Sequence, residues 1–187
     1  MLQHLITHDE DLRMAPVDRG ELIRAVDELR EELQALDPDG DPDRRRVLSR
    51  WIGIGSLTLG DHGQARTHLR QALGLAAASG NTRSMIATEL NLGDAHRYAG
   101  QAATANGHYL RALVAARREQ PELVDFALQH LAKHLLEQGE LAVARTHLEE
   151  ALRLRRAKGD DELITSTLTA LQRVDLLITT GGATPHA

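Results

Sequence analysis

Ala65-Arg66-Thr67-His68-Leu69 recurs unchanged as Ala144-Arg145-Thr146-His147-Leu148. Each copy begins five residues after a glycine, Gly60 or Gly139, and the same frame surrounds Gly20 and Gly100, so glycine returns at spacings of 40, 40 and 39 residues. A polar or acidic residue follows each one: Glu21, Asp61, Gln101 and Glu140. The alanine of the pentapeptide has counterparts in all four frames, Ala25, Ala65, Ala105 and Ala144. So does the large apolar residue four positions on: Leu29, Leu69, Tyr109 and Leu148. Leucine comes back after a further four, at Leu33, Leu73, Leu113 and Leu152. Residue classes held in step over four periods mark an internal structural repeat.

Each class has a physical task in a helical repeat. Glycine ends one helix in a left-handed conformation that other residues adopt at a cost. The acidic or amide residue after it suits the free N–H groups that open the next helix. Alanine lets two antiparallel helices approach closely, and apolar residues four apart line one face of the second helix. A further amphipathic stretch precedes each glycine, most clearly Glu89-Leu-Asn-Leu-Gly-Asp-Ala-His-Arg-Tyr98.

Asn91-Leu92-Gly93-Asp94-Ala95-His96, followed by Gly100, Ala105, Tyr109 and Ala112, resembles a tetratricopeptide repeat (TPR). Residues 125–156 are similar through Leu128, Leu131, Ala132, Leu135, Gly139, Ala144, Leu148 and Ala151, and residues 46–77 through Gly53, Gly60, Ala65, Leu69 and Ala72. Ser49 and Glu89 depart from the pattern, standing where the family prefers a large apolar residue. The period near 40 residues exceeds the usual 34 of the family, as in its longer-helix members. The resemblance implies an all-α fold, a right-handed α-solenoid of antiparallel helix pairs, with an N-terminal partial repeat and a C-terminal capping helix.

The pattern predicts helices over 19–36, 43–59, 62–79, 82–99, 102–119, 121–138, 141–158 and 161–178. These group into a repeat domain over 19–178, with repeats at about 46–85, 86–124 and 125–160 and a capping helix at 161–178. Residues 1–18, acidic and carrying Pro16, are expected to be an N-terminal arm or a degenerate helix, and 179–187 a disordered tail.

Composition excludes several function classes. There is no cysteine, so no disulfide or thiolate–metal framework is possible. The 22 basic and 27 acidic residues are interspersed, unlike the one-sided positive charge of a nucleic-acid binder. Arg44-Arg45-Arg46, the one basic cluster, is offset by Asp37, Asp39, Asp41 and Asp43. No run approaches the ~20 apolar residues of a membrane span, and Met1–Asp11 reads as neither a secretory signal nor a transit peptide. The expectation is a soluble cytoplasmic protein. Arginine in place of lysine, together with abundant alanine, is a bias expected of GC-rich bacterial coding.

Candidate chemistry is thin. His68, His108 and His147 hold equivalent places in three repeats, but equivalent helices lie ~10 Å apart, too far to share one ion. His130 and His134 lie four apart, with no glutamate between them in the zinc-protease manner and no third ligand nearby. Asp37–Asp43 alternates carboxylates around Gly40 but lacks the downstream glutamate of a calcium loop, and is read as a turn that caps the next helix. No nucleophile elbow, phosphate loop or dinucleotide fingerprint is present. The expectation is a non-enzyme with no cofactor and no metal.

A surface remains. In stacked helix pairs the first helix of each pair lines the inner, concave side. By periodicity that side carries Val47, Arg50, Ile54 and Leu57, then Leu90, Asp94, Arg97 and Tyr98, then Phe126, Gln129, Lys133, Leu136 and Glu137. Aligned apolar positions with charged edges are the signature of an interaction site. The resemblance therefore implies an adaptor, scaffold or regulatory subunit that grips a protein or peptide in a concave groove. Alternatives are a sensor that takes an apolar peptide or small molecule there, and a homodimer using the same surface. Arg50 and Asn91 fit the family's carboxylate-clamp pattern, whereas Ile54, Phe126 and His130 do not.

Overall fold

The computed structural model describes residues 1–37 and 40–181. Pro38 and Asp39 of the Asp37–Asp43 turn, and residues 182–187 of the expected tail, lie outside the described residues.

Helix dominates. The elements are α1 (Arg19–Ala35), α2 (Pro42–Thr58), α3 (His62–Ala78), α4 (Thr82–Tyr98), α5 (Ala102–Glu119), α6 (Val124–Glu137), α7 (Leu141–Lys158) and α8 (Asp161–Thr179). A 3₁₀ turn at Pro121–Leu123 leads into α6, so the proline opens a tighter turn than the α-helix start expected for it. The chain resolves into two compact units, Met1–His108 and Tyr109 onward; in the first, α1 to α4 pack as successive antiparallel neighbours, and in the second α6 to α8 do.

The turns between helices carry much of the sequence-to-structure logic. Gly60 and Gly100 have φ of +87° and +71°, the left-handed region that stops a helix. The residue after each sends its N–H back over the turn, Asp61 to Ser56 O and Gln101 to His96 O, both at 2.9 Å. Asp61 then begins α3, its carboxylate accepting the Gln64 N–H at 3.0 Å. Asp41, Asn81 and Asp160 open α2, α4 and α8 in the same way. Gly20 is not such a terminator. It lies inside the first turn of α1, and Asp18 supplies the cap instead, accepting the Glu21 N–H at 2.8 Å. Glu140 opens α7 without any side-chain cap.

In the first unit, residues 1–18 form no helix. After a 3₁₀ turn at Gln3–Leu5, β1 (Ile6–His8) and β2 (Met14–Pro16) pair antiparallel, with Thr7 opposite Ala15. Asp9 organises the connection by accepting the N–H groups of Asp11 and Arg13. Leu12 takes a φ of +60°, a strained value for a leucine, and is buried. Pro16 ends β2 where a helix interior would not accept it. Leu2 and Leu5 join Leu22 and Val26 of α1 and Ile52 of α2 in one buried cluster. The segment before the hairpin thus adds apolar cover to α1 and α2 without forming a helix. A second cluster joins Leu57, Ala65, Leu69, Leu92 and Ala95, with Met14 and Tyr98 packed against it.

The close helix approach is visible at glycines inside α2. A Cβ on Gly53 would stand 2.6 Å from Leu69 Cγ, and one on Gly55 would stand 2.3 Å from Val26 Cγ2. Gly74 in α3 faces open space. In urea denaturation, Gly55→Ala is expected to lose about 1–3 kcal/mol through overpacking. Gly74→Ala should gain about 0.5–1 kcal/mol from helix propensity alone.

Candidate interaction surface

The inner-face positions read from the sequence fall on α2, α4 and α6. In the first unit, α2 and α4 are tied directly: Arg46 donates to Ser84 Oγ at 2.7 Å and Arg50 Nε to Asn91 Oδ1 at 3.0 Å. The apolar members there are not an open wall. Ile54, Leu57 and Leu90 are buried, Leu57 within the cluster shared with α3 and α4. The charges of Asp94 and Arg97 are buried too, and face each other at 3.5 Å, one turn apart. Val47, Arg50 and Tyr98 stay half-buried.

Tyr98 is held from several sides. Its hydroxyl oxygen accepts the Met14 N–H at 2.7 Å, and the Arg13 and Arg97 guanidinium carbons lie 5.2 and 5.0 Å from its ring centroid. Burial, reinforced by Asp94, pushes its hydroxyl pKa well above the ordinary tyrosine value. The hairpin therefore rests on the C-terminal end of α4.

Arg50 is different. Its guanidinium is half-buried, 5.8 Å from the Trp51 ring, and Asn91 is its one hydrogen-bond partner among the described residues. Desolvation, with Arg46 adding like charge, lowers its pKa to about 10. Among the described residues no carboxylate pairs with it. Among the described residues its two terminal nitrogens make no hydrogen bond.

In the second unit, the inner-face residues of α6 are drawn into a buried polar network that periodicity alone does not reveal. Asp125 is fully buried and accepts from Arg155 Nε at 2.9 Å and from Lys158. The other end of Arg155 donates to Gln129, to Thr167 Oγ1 at 2.8 Å and to Leu163 O at 3.1 Å. Gln129 in turn donates to Ser166 Oγ at 2.9 Å. Phe126 is half-buried, with the Arg155 guanidinium 5.2 Å and the Lys158 ammonium 5.4 Å from its ring centroid. α6, α7 and α8 are thereby joined. Gln129 is committed inside, Lys133 and Leu136 are buried, and Phe126 and Glu137 keep partial access.

The histidines are set among other side chains. His108 Nδ1 meets Glu89 Oε2 at 2.6 Å, which gives the glutamate at that departure from the TPR pattern a partner. The His108 ring stacks on His96 with centroids 5.1 Å apart, and His96 Nδ1 meets Gln101 Oε1 at 2.5 Å. His130 and His134 flank the buried Tyr109 ring at 6.3 and 5.5 Å. Among the described residues, no group of three or more metal-ligating side chains converges, and no helix is long and apolar enough to cross a membrane.

No family model matches the sequence, and no curated protein matches it either. Three-dimensional similarity is clear. The apo form of RapI superposes with a TM-score of 0.70 at 16% identity, over 87% of this chain and 45% of that one. The fold is a TPR-like helical repeat. BtubC (BKLC) from P. vanneervenii gives 0.60 at 18% identity, over 90% of this chain and 78% of that one. A Podosopora anserina protein assigned as a kinesin light chain, with nearly identical TPR-like repeats, gives 0.57 at 15% identity, over 88% and 90%. The chain spans less than half the length of RapI.

Two outcomes follow. Asp125→Ala leaves Arg155 and Lys158 without their shared anion in a buried setting. It should cost about 3–5 kcal/mol in urea denaturation. Burial also lowers the pKa values of His62, His68, His96 and His147 below the ordinary 6.5. As pH falls through that value the unfolded chain takes up protons before the folded one does, so folding stability declines until the folded values are passed. Denaturation midpoints should be lower at pH 5.5 than at pH 7.5, which a paired urea titration checks.

Proposed function

We propose that this chain is a protein- or peptide-binding TPR-like module, serving as an adaptor, scaffold or regulatory subunit in the cytoplasm without chemistry of its own. The observation that carries the reading is Arg50: a half-buried guanidinium, oriented by Asn91 across two equivalent helices and lacking a carboxylate partner among the described residues. Such a cation is poised for charge-assisted hydrogen bonds, with its planar fork suited to a carboxylate. The ligand this favours is a polypeptide with an acidic side chain or a terminal carboxylate. Val47, one turn earlier on α2, supplies half-buried apolar surface beside it. The fold shared with RapI and with the kinesin-light-chain-like repeats supports a binding role over a catalytic one.

Selection from a random peptide display library tests this. Enriched sequences are expected to be acidic, and Arg50→Ala should weaken them by roughly 10–100-fold, as the loss of hydrogen bonds to a charged group implies. Enrichment of neutral peptides that bind Arg50→Ala as well as wild type would sink the reading.

A further inference from the structure

Among the described residues Arg66 and Arg70, one turn apart on α3, make neither a hydrogen bond nor an ion pair. Arg70 is exposed, so water serves it. Arg66 is half-buried, and its Nη1 is shielded from solvent with no acceptor beside it among the described residues. A buried charged donor left unpaired carries its full desolvation penalty, and native folds rarely hold one that no ion or water meets. The register brings a third group to the same place. Ala65 and Leu69, which precede the two arginines, share a buried cluster with Leu92 and Ala95 of the antiparallel α4. In an antiparallel pair, the residue after each contact residue turns about 100° to the same side of both helices. Arg66, Arg70 and His96 therefore emerge on one side of the α3–α4 seam, where His108 of α5 stacks on the His96 ring.

That side carries excess positive charge. Burial lowers the His96 pKa against the opposing Gln101 hydrogen bond, and the charges that act on it, His108, Arg66 and Arg70, all lower it further. At His62, one turn before Arg66, burial and then Arg66 and Arg13 lower the pKa, with only Asp61 opposing them. The nearby carboxylates are engaged: Asp61 accepts the Gln64 N–H, Glu89 meets His108 and Asp94 faces Arg97. We propose that Arg66, Arg70 and His96 form a binding site for a phosphoryl oxyanion, free or esterified. A carboxylate would occupy one guanidinium fork with a single charge. A phosphoryl group brings nearly two charges and three acceptor oxygens, enough for both forks and the imidazole. The site shares no residue with the Arg50–Asn91 pair and does not rest on the function proposed for it.

Isothermal titration calorimetry on the full chain at fixed ionic strength tests this. The probes are inorganic phosphate, a pentapeptide of alanine around one phosphoserine, and acetate. Both phosphoryl probes should bind one-to-one, with acetate at least tenfold weaker than either. Tighter binding of the peptide assigns the site to a phosphorylated polypeptide, and equal or weaker binding to a free oxyanion. Arg66→Gln and Arg70→Gln should each weaken phosphate at least tenfold, with helix content by circular dichroism unchanged. In chloride, Arg66→Gln should melt no lower than wild type, because it removes an unpaired cation, and phosphate should raise the melting temperature of wild type alone. Absence of saturable phosphate binding, or acetate as tight as phosphate, overturns the proposal. So does phosphate binding that Arg50→Ala abolishes and Arg66→Gln leaves intact.

Discussion

Two helices can share a core only one side chain thick if small residues sit where their backbones come closest. Everything in this chain is arranged around that constraint. Ala65, Ala105 and Ala144 are fully buried at equivalent places in three repeats, and Gly53 leaves room for the Leu69 side chain that a methyl group there would strike. The turns meet the same requirement from outside. A left-handed glycine followed at once by an aspartate or asparagine cap, as at Gly60-Asp61 and Gly80-Asn81, reverses the chain in the fewest residues. Longer connections would let the helices slide in register. The identical pentapeptides at Ala65–Leu69 and Ala144–Leu148 mark the contact line itself.

Because that line is spent on packing, accessible side chains are left at its edges. Most apolar inner-face positions on α2, α4 and α6 are consumed by neighbouring helices, and the polar ones are divided between internal pairs and accessible groups. Asp94 faces Arg97 and Asp125 holds Arg155, so each offsets a buried charge that would otherwise be costly. Among the described residues Arg50 has only the neutral Asn91 amide. The difference between those arginines is that Arg97 and Arg155 are neutralised within the fold and Arg50 is oriented by a neutral amide.

The helices were legible in the sequence because their determinants are local: Gly100 stops α4 through its own backbone, and Pro42 and Asp41 start α2 through theirs. The alanine positions were legible through recurrence. Gly20 shares the recurrence but not the geometry, since Asp18 two residues earlier captures the first helix N–H groups and moves the boundary. The hairpin at Ile6–Pro16 was hidden because its strands are three residues each, too short to show alternation. Burial of Ile54, Leu57 and Leu90 was missed because helical periodicity says which residues share a face, not how much of that face a neighbour covers. The network of Asp125, Gln129, Arg155, Lys158 and Thr167 was equally hidden. Its members lie far apart in the chain and each alone looks like ordinary surface charge or polarity.

Helical repeats ordinarily touch only their immediate neighbours, so they can come apart one unit at a time from an end. The Met14–Tyr98 hydrogen bond departs from that rule by bridging 84 positions of chain and passing over three intervening helices. An N-terminal segment anchored this far along has to release Tyr98 before α1 can fray. The clasp converts the first unit from a row of separately melting pieces into one cooperative block.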